Sequence, residues 1–224
     1  MDPDSFDSMT GRGYKIWFYH PERTPVDLNE IKHASTNICR FNGHFTWKLI
    51  QHLALCTMLA EYHTENGYVP YKTGAGPNGP LTTTIISDSA SYLIAQCAAH
   101  DFHEIYVGDV ITGLKKYLNE YKVIEKLWET WVLKNFDLDY PEGNTKWFVK
   151  YIDLRALTLE MIGNGHMKAN TVIELYGQPD EHELRIYEQI SKSTPDQCWN
   201  IITKAIEKYR EELWQKEKSA IQLA

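Results

Sequence analysis

Three apolar helical segments of the sequence each carry a side chain that can bind a metal ion. His52 lies in the first segment, the adjacent pair His100 and Asp101 ends the second, and Asp153 lies in the third. A charge beside an apolar helix face is costly unless it is paired or bound to a metal. Imidazole and carboxylate groups from three helices suit a divalent transition cation with open coordination positions. The pattern therefore predicts a metal site.

Each of these residues also has a structural interpretation. A lone buried histidine is more often hydrogen-bonded in the core than bound to a metal, and a helical aspartate is usually exposed or in a salt bridge. His44 competes with His52 as the first ligand, but it follows a flexible Asn-Gly pair. A ligand on a rigid helix is better positioned, which favours His52 and leaves His44 as a phosphate or water contact.

The order of these residues resembles the H…HD…D signature of the HD-domain phosphohydrolase superfamily. Residues 100–110 read HDFHEIYVGDV and resemble the HDxxE…GD segment of bacterial 5′-deoxynucleotidases and phage dATP triphosphohydrolases. Residues 38–44 read ICRFNGH and resemble a segment common in phage-encoded members. The likeness covers about residues 13–160 and is carried by several motifs in the same order, which makes it far more specific than an HD dipeptide alone.

The resemblance implies a role for each matching residue. The metal ligands would be His52, His100, Asp101 and Asp153. Glu104 and Asp109 match the acidic residues that position or activate the attacking water. Arg40 and Lys115 match phosphate contacts, and Phe41 matches the aromatic position beside the sugar or base. An ordinary core aromatic next to a turn is the other interpretation of Phe41.

The implied activity is metal-dependent hydrolysis of a small-molecule deoxynucleotide, with a dATP-type triphosphohydrolase as the nearest subgroup. Its products would be a deoxynucleoside and triphosphate. Three alternatives stay open: a 5′-deoxynucleotidase acting on monophosphates, a phosphodiesterase of a cyclic or alarmone nucleotide, and a nucleotide-binding module without turnover. The expected cation is Mn²⁺, Co²⁺, Fe²⁺, Ni²⁺ or Zn²⁺, with Mg²⁺ as an optional second ion. Relatives of this type form homo-oligomers, so a dimer or hexamer is expected.

Composition excludes several other classes of protein. The formal net charge of the 224 residues is −7, so long-range electrostatics do not favour DNA or RNA as a partner. No run of about 18 apolar residues is present, and the acidic N-terminus lacks the features of a signal peptide. The four cysteines show no short paired spacing, which indicates reduced thiols and a cytoplasmic location (the host cytoplasm for a phage-encoded protein).

Hydrophobic spacing predicts an all-α fold, and the resemblance makes it an HD-domain helical bundle. We expect a loose tail over residues 1–12 and a single domain over residues 13–224. Residues 63–83 are rich in glycine and proline and are expected to form an insertion loop. We expect no β-strand of appreciable length, because no alternating pattern of convincing length occurs.

Local signals also predict where individual helices begin. Asp27, with Glu30 three residues later, is expected to form a capping box at one helix start, and another helix is expected from about Thr46. Ser89 or Ser91 is expected to cap a helix that runs to His100-Asp101, with Glu104 one turn further on the same face. Cys56 and Cys97 lie on apolar helix faces, where a free thiol behaves as a small hydrophobic residue.

Overall fold

The protein is mainly helical, which confirms the all-α class. A computed structural model describes residues 7–43, 45–67, 70–72, 81–83, 89–166 and 169–222. Its α-helices are α1 Leu28–Asn37, α2 Leu49–Glu65, α3 Ala90–Ala99, α4 Glu104–Val107, α5 Thr112–Lys115, α6 Asn119–Lys134, α7 Gly143–Gly163, α8 Ala169–Tyr176, α9 Glu181–Ser191 and α10 Pro195–Gln222. Two short 3₁₀ segments, Pro21–Arg23 and Phe41–Gly43, precede α1 and α2 respectively.

The described residues also include two small antiparallel sheets, which the sequence did not predict. Strand β1 (Ser8–Met9) pairs with β2 (Lys15–Ile16), and β3 (Pro70–Lys72) pairs with β4 (Leu81–Thr83). Strands of two or three residues are too short to show a period-two pattern. The first pair lies partly inside the segment expected as a loose tail, and the second lies inside the expected insertion.

The chain divides into two compact units. The first unit comprises the described residues of Met1–Ile50 and His100–Tyr140, and the second those of Gln51–Ala99 and Pro141–Ala224. The single domain expected from the sequence stays a prediction.

Aromatic side chains form the core of the first unit. Trp128 of α6 is fully buried, stacks on Tyr106 of α4 with ring centroids 4.6 Å apart, and donates its indole N–H to the carbonyl of Phe18. Phe102 is also fully buried and meets Phe136 edge to face at 5.3 Å. Large buried aromatic rings contribute most to a core of this size, so these contacts fix α4 against α6.

The start of helix α1 is set by a capping residue. Asp27 is its N-cap and accepts a hydrogen bond from the amide of Asn29 at 2.8 Å, as expected. Glu30 was expected to complete a capping box on Asp27. Its carboxylate instead accepts from the amides of Gly11 and Arg12, because the turn that joins β1 and β2 offers it two N–H groups.

In the second unit, α3 packs against α7 and α10, and α7 also contacts α8 and α9. Helix α3 begins where the sequence predicted, with the hydroxyl of Ser89 accepting from the amide of Tyr92. Its buried face includes Leu93 and Ala98, and α7 contributes Phe148 and Ile152. The long apolar faces of α3 and α7 therefore form the centre of this unit.

A buried charged network also joins three helices of the second unit. Glu183 of α9 accepts two hydrogen bonds from Arg155 of α7, through the Nε and Nη2 atoms, and one from the Nε2 atom of His63 of α2 at 3.1 Å. The insertion expected from the sequence begins at residue 63, but α2 continues through His63 to Glu65. Burial alone would raise the pKa of Glu183, yet the hydrogen bonds from His63 and Arg155 outweigh it and lower the pKa to about 2.

The structure also bears on two predictions made from composition, which concern the cysteines and membrane-spanning helices. All four cysteines are described, and none is in a disulfide. Among the described residues, no helix combines the length and hydrophobicity needed to cross a membrane.

Candidate functional site

In the second unit, His52 is held between two carboxylates of α7. The Nδ1 atom of His52 lies 2.6 Å from Oε1 of Glu160, and both side chains are fully buried. The Nε2 atom lies 3.5 Å from Oδ1 of Asp153. When Glu160 is ionised, its carboxylate can only accept a hydrogen bond, which places the proton on Nδ1 and leaves the Nε2 lone pair toward Asp153. Metal-binding histidines commonly have this arrangement.

Glu160 was not among the residues predicted for the site. An acidic residue in a helix is usually exposed, and Glu160 lies 108 residues from His52 along the chain. Its position two turns after Asp153 on α7 is the one signal that could have found it, since residues seven apart lie on the same helix face. The remaining oxygen of Asp153 accepts a 2.6 Å hydrogen bond from the ammonium group of Lys150.

Two buried cysteines lie beside this pair. Cys56 follows His52 by one turn of α2, and its sulfur lies 3.6 Å from the Nε2 atom of His52. Burial raises the pKa of Cys97 on α3 well above its ordinary value, and the charge of Asp153 raises it further. The sequence predicted only that Cys56 and Cys97 behave as small hydrophobic residues. Because Cys56 contacts His52, its sulfur can also bind a cation next to the imidazole.

In the first unit, His100 and Asp101 lie in a turn rather than on a helix. The sequence predicted that Glu104 shares their helix face, but α3 ends at Ala99 and α4 starts at Glu104. The turn is closed by His103, whose Nδ1 atom lies 3.1 Å from the carbonyl oxygen of His100. Because Phe102 is fully buried in the core, the two polar residues before it are held in a fixed position.

Asp101 lies between a cation and an imidazole. Its Oδ2 atom is 3.8 Å from a guanidinium nitrogen of Arg40 and 3.1 Å from the Nε2 atom of His100. All three side chains are largely removed from solvent. The first unit therefore brings together three of the residues that the sequence predicted for the site.

Glu104 has the most unusual environment in the first unit. Its side chain is 5% exposed, and its Oε2 atom has no hydrogen-bond partner among the described residues. Burial raises its pKa well above the ordinary value, and the charges of Asp101 and Asp109 raise it further. Arg40 and Lys115 act in the opposite direction. A buried carboxylate whose pKa is raised in this way is typical of functional sites.

The backbone conformation at the end of α4 explains why glycine precedes Asp109. Gly108 caps α4 with a φ of +85°, which a residue with a Cβ rarely adopts, and its amide donates to the carbonyl of Glu104. The hydroxyl of Tyr121 on α6 donates to the carbonyl of Gly108 at 2.7 Å. Gly108 therefore ends the helix and sets the position of Asp109, the next residue.

Lys115 forms an ion pair with Glu125 of α6. Burial alone would lower the pKa of Lys115, but the hydrogen bond and charge of Glu125 outweigh it and raise the pKa. Glu125 also lies 3.9 Å from the Nε2 atom of His103. The sequence does not mark Glu125 as part of a site, because a helical glutamate among lysines is typical of a solvated face.

The segment that carries Arg40 is folded back on itself. Cys39 and Lys48 form an isolated antiparallel bridge, and the amide of Arg40 donates to the carbonyl of Trp47. This extended pairing delays the start of α2 to Leu49, three residues later than the sequence predicted.

Phe41 lies in the loop closed by that bridge, at a positive φ of 54°. It is partly exposed, meets Phe45 edge to face at 5.3 Å, and lies 5.9 Å from the guanidinium carbon of Arg40. It is therefore no ordinary core aromatic. Of the remaining predicted contacts, His44 lies outside the described residues.

The described residues include a possible metal-binding group. His52, Cys56 and His100 are all buried and carry the nitrogen and sulfur atoms that transition metals bind. His52 and His100 were expected as ligands from the sequence, and Cys56 was not.

Comparisons with known proteins add little to this picture. No protein-family model matches the chain. The chain is 26% identical over 153 residues to a protein of Escherichia coli (strain K12) named YfdR and described as uncharacterized. That likeness covers 67% of this chain and 68% of the relative.

Proposed function

We propose that the protein is a metal-dependent phosphohydrolase of the HD-domain type that acts on deoxynucleotides, with dATP-like triphosphates as the expected substrates. The environment of Glu104 carries this proposal. A buried carboxylate with one unpartnered oxygen lies among two further carboxylates and two cations of the first unit. Hydrolysis at phosphorus needs groups of both kinds, because acids handle the proton of water and cations bind phosphate.

The proposed metal ligands are His52, His100, Asp101 and Asp153. The residues present fit a divalent transition cation: His52 has its tautomer set by Glu160, and its Nε2 atom faces the carboxylate of Asp153. His100 and Asp101 provide the same pair of donor types in the first unit. A cation held by such ligands polarises phosphoryl oxygens and lowers the pKa of water.

The chain's own residues then have distinct tasks. Arg40 and Lys115 bind phosphate oxygens, and in a protein of net charge −7 they provide positive charge where an anionic substrate needs it. Glu104 and Asp109 orient the attacking water and accept its proton. Lys115 has to exchange Glu125 for phosphate, so the ion pair holds the ammonium group in place until the substrate binds.

A substrate panel tests this proposal. All deoxy- and ribonucleoside mono- and triphosphates are incubated with the Mn²⁺- or Co²⁺-loaded protein, and the products are separated by chromatography. We expect a deoxynucleoside and triphosphate from dATP. Release of inorganic phosphate from monophosphates alone would instead indicate a 5′-deoxynucleotidase.

Two variants complete the test. Asp101→Ala should lose both activity and bound metal, whereas Glu181→Ala, on the exposed start of α9, should keep both. Full metal occupancy in Asp101→Ala, or no hydrolysis of any nucleotide by the wild-type protein, would refute the proposal.

A further inference from the structure

The surroundings of His52 contain a sulfur atom that the expected ligand set omits. Since Glu160 fixes the proton on Nδ1, the Nε2 lone pair is directed away from it. Near Nε2, the second unit places Oδ1 of Asp153 at 3.5 Å and Sγ of Cys56 at 3.6 Å. The three atoms are an imidazole nitrogen, a carboxylate oxygen and a thiol sulfur, which are the protein ligands of Zn²⁺.

The spacing of these atoms matches neighbouring ligands of one tetrahedral cation. With Zn–N of about 2.1 Å and Zn–S of about 2.3 Å, the nitrogen and sulfur at a tetrahedral angle are about 3.6 Å apart. The observed distance from Nε2 of His52 to Sγ of Cys56 is 3.6 Å. Cys56 needs no rearrangement to reach this position, because residues four apart on α2 lie on the same helix face.

Burial of His52 and Cys56 is a second reason to place the sulfur at the metal site. His52 is fully buried, and Cys56 is 1% exposed. An imidazole lone pair held away from water is costly unless it meets a donor or a cation. In the metal-free protein the thiol of Cys56 can donate to it, and on metal binding the same thiol can give up its proton.

We propose that Cys56 is a sulfur ligand of the cation bound by His52 and Asp153, so that the site selects thiophilic ions over Mn²⁺ and Mg²⁺. This inference rests on the metal site of the proposed function. On binding, the S–H bond of Cys56 breaks, its proton goes to solvent, and the electron pair on sulfur forms the bond to the cation. Soft sulfur ligands favour Zn²⁺ over hard cations, whereas a site of nitrogen and oxygen ligands alone discriminates less.

The test uses Co²⁺ as the probe. Protein stripped with a chelator is titrated with Co²⁺ while absorbance and bound metal are recorded. Sulfur ligation gives a charge-transfer band in the near ultraviolet, which nitrogen and oxygen ligands do not. We expect the band in the wild-type protein and in Cys97→Ala, a matched control whose thiol is also buried close to Asp153. We expect Cys56→Ala to lack it.

Metal competition provides the second readout. Cys56→Ala should weaken Zn²⁺ binding by more than about tenfold and leave Mn²⁺ binding within about twofold of the wild type. Equal losses for both ions, or loss of the band in Cys97→Ala but not in Cys56→Ala, would overturn the assignment. If Cys56→Ala fails to fold, the wild-type protein and Cys97→Ala decide together: a band present in both supports Cys56, and a band absent from the wild type refutes it.

Failure of this inference is distinguishable from failure of the proposed function. Bound Co²⁺ without the sulfur band refutes the role of Cys56 and leaves the phosphohydrolase proposal intact. A sulfur band in a protein that hydrolyses no nucleotide supports Cys56 as a ligand and refutes the proposed activity. No binding of Co²⁺ refutes both.

Discussion

A histidine can offer either ring nitrogen to a cation, and Glu160 decides which one His52 offers. The two side chains are fully buried, with Nδ1 and the carboxylate oxygen 2.6 Å apart. A hydrogen bond of this kind orients the ring and makes its other nitrogen a better ligand. Glu160 is therefore a positioning residue: it acts on the site through His52.

This role predicts a graded effect of substitution. Glu160→Leu should weaken metal binding by about 10- to 100-fold, because nothing then holds the Nδ1 proton. Glu160→Gln should weaken metal binding less, since the amide oxygen of glutamine can still accept the hydrogen bond from Nδ1. Competition with a metal chelator measures both affinities, and circular dichroism checks that the helices are intact. Equal affinities in Glu160→Leu and the wild type would show that Glu160 has only a packing role.

At the scale of single residues, the sequence predicted the donor groups of the candidate site but not the partners that set their chemistry. The donor types and order of His52, His100, Asp101 and Asp153 were visible as polar groups in apolar segments. Glu160 and Glu125 were not, because each acts through a residue on another element. Ion pairs of this kind depend on packing, which a single sequence does not record.

At the scale of elements, apolar spacing predicted the helices well and their ends less well. α3 starts at the expected cap, and α7 spans the segment that carries Asp153. The start of α2 was wrong because Trp47 and Lys48 are drawn into extended pairing with residues 39 and 40. The turn at His100 was also missed, since an alanine-rich helix followed by His-Asp contains no glycine or proline to mark its end.

The network around Glu183 predicts how the second unit responds to acid. The folded pKa of about 2 lies below the ordinary value of 4.5. A depressed carboxylate pKa contributes stability that is present above the unfolded pKa and is lost as the pH falls through the folded value. This contribution is about 3 kcal/mol at most, and it should disappear between about pH 4.5 and pH 2.

The matching experiment measures unfolding by urea at several pH values. At pH 7, Glu183→Gln should be less stable than the wild type by about 3–5 kcal/mol, because Arg155 is left buried without its anion. The difference should shrink as the pH approaches 2, where the wild-type carboxyl group is also neutral. Glu181→Gln, 91% exposed in the first turn of the same helix, is the control and should show no such trend. A pH-independent difference would contradict the role of ionised Glu183.

At the scale of the whole molecule, metal binding should be linked to folding. A cation bound by the proposed ligands should stabilise the folded chain, since a ligand that binds only the folded state raises its stability.

Thermal unfolding with and without Co²⁺ tests this consequence. At a concentration 100 times the Kd, the cation contributes about 2.7 kcal/mol, which corresponds to a rise in Tm of about 5–10 °C for a chain of this length. His52→Ala and His100→Ala should each lose nearly all of this rise. His33→Ala, exposed on α1, should keep it. If one of the two ligand variants kept the rise, the histidine replaced in it would not be a ligand.

The backbone of Phe41 has a consequence for protein engineering. A positive φ costs a residue with a Cβ roughly 1–2 kcal/mol that glycine avoids, so a strain-based ranking would select Phe41→Gly as a thermostabilising change. That change would also remove the ring beside the guanidinium group of Arg40. Thermostability gained there would leave Arg40, the proposed phosphate contact, less preorganised, which is a stability–activity trade-off. Libraries built to make this protein more heat-resistant should therefore leave position 41 unchanged.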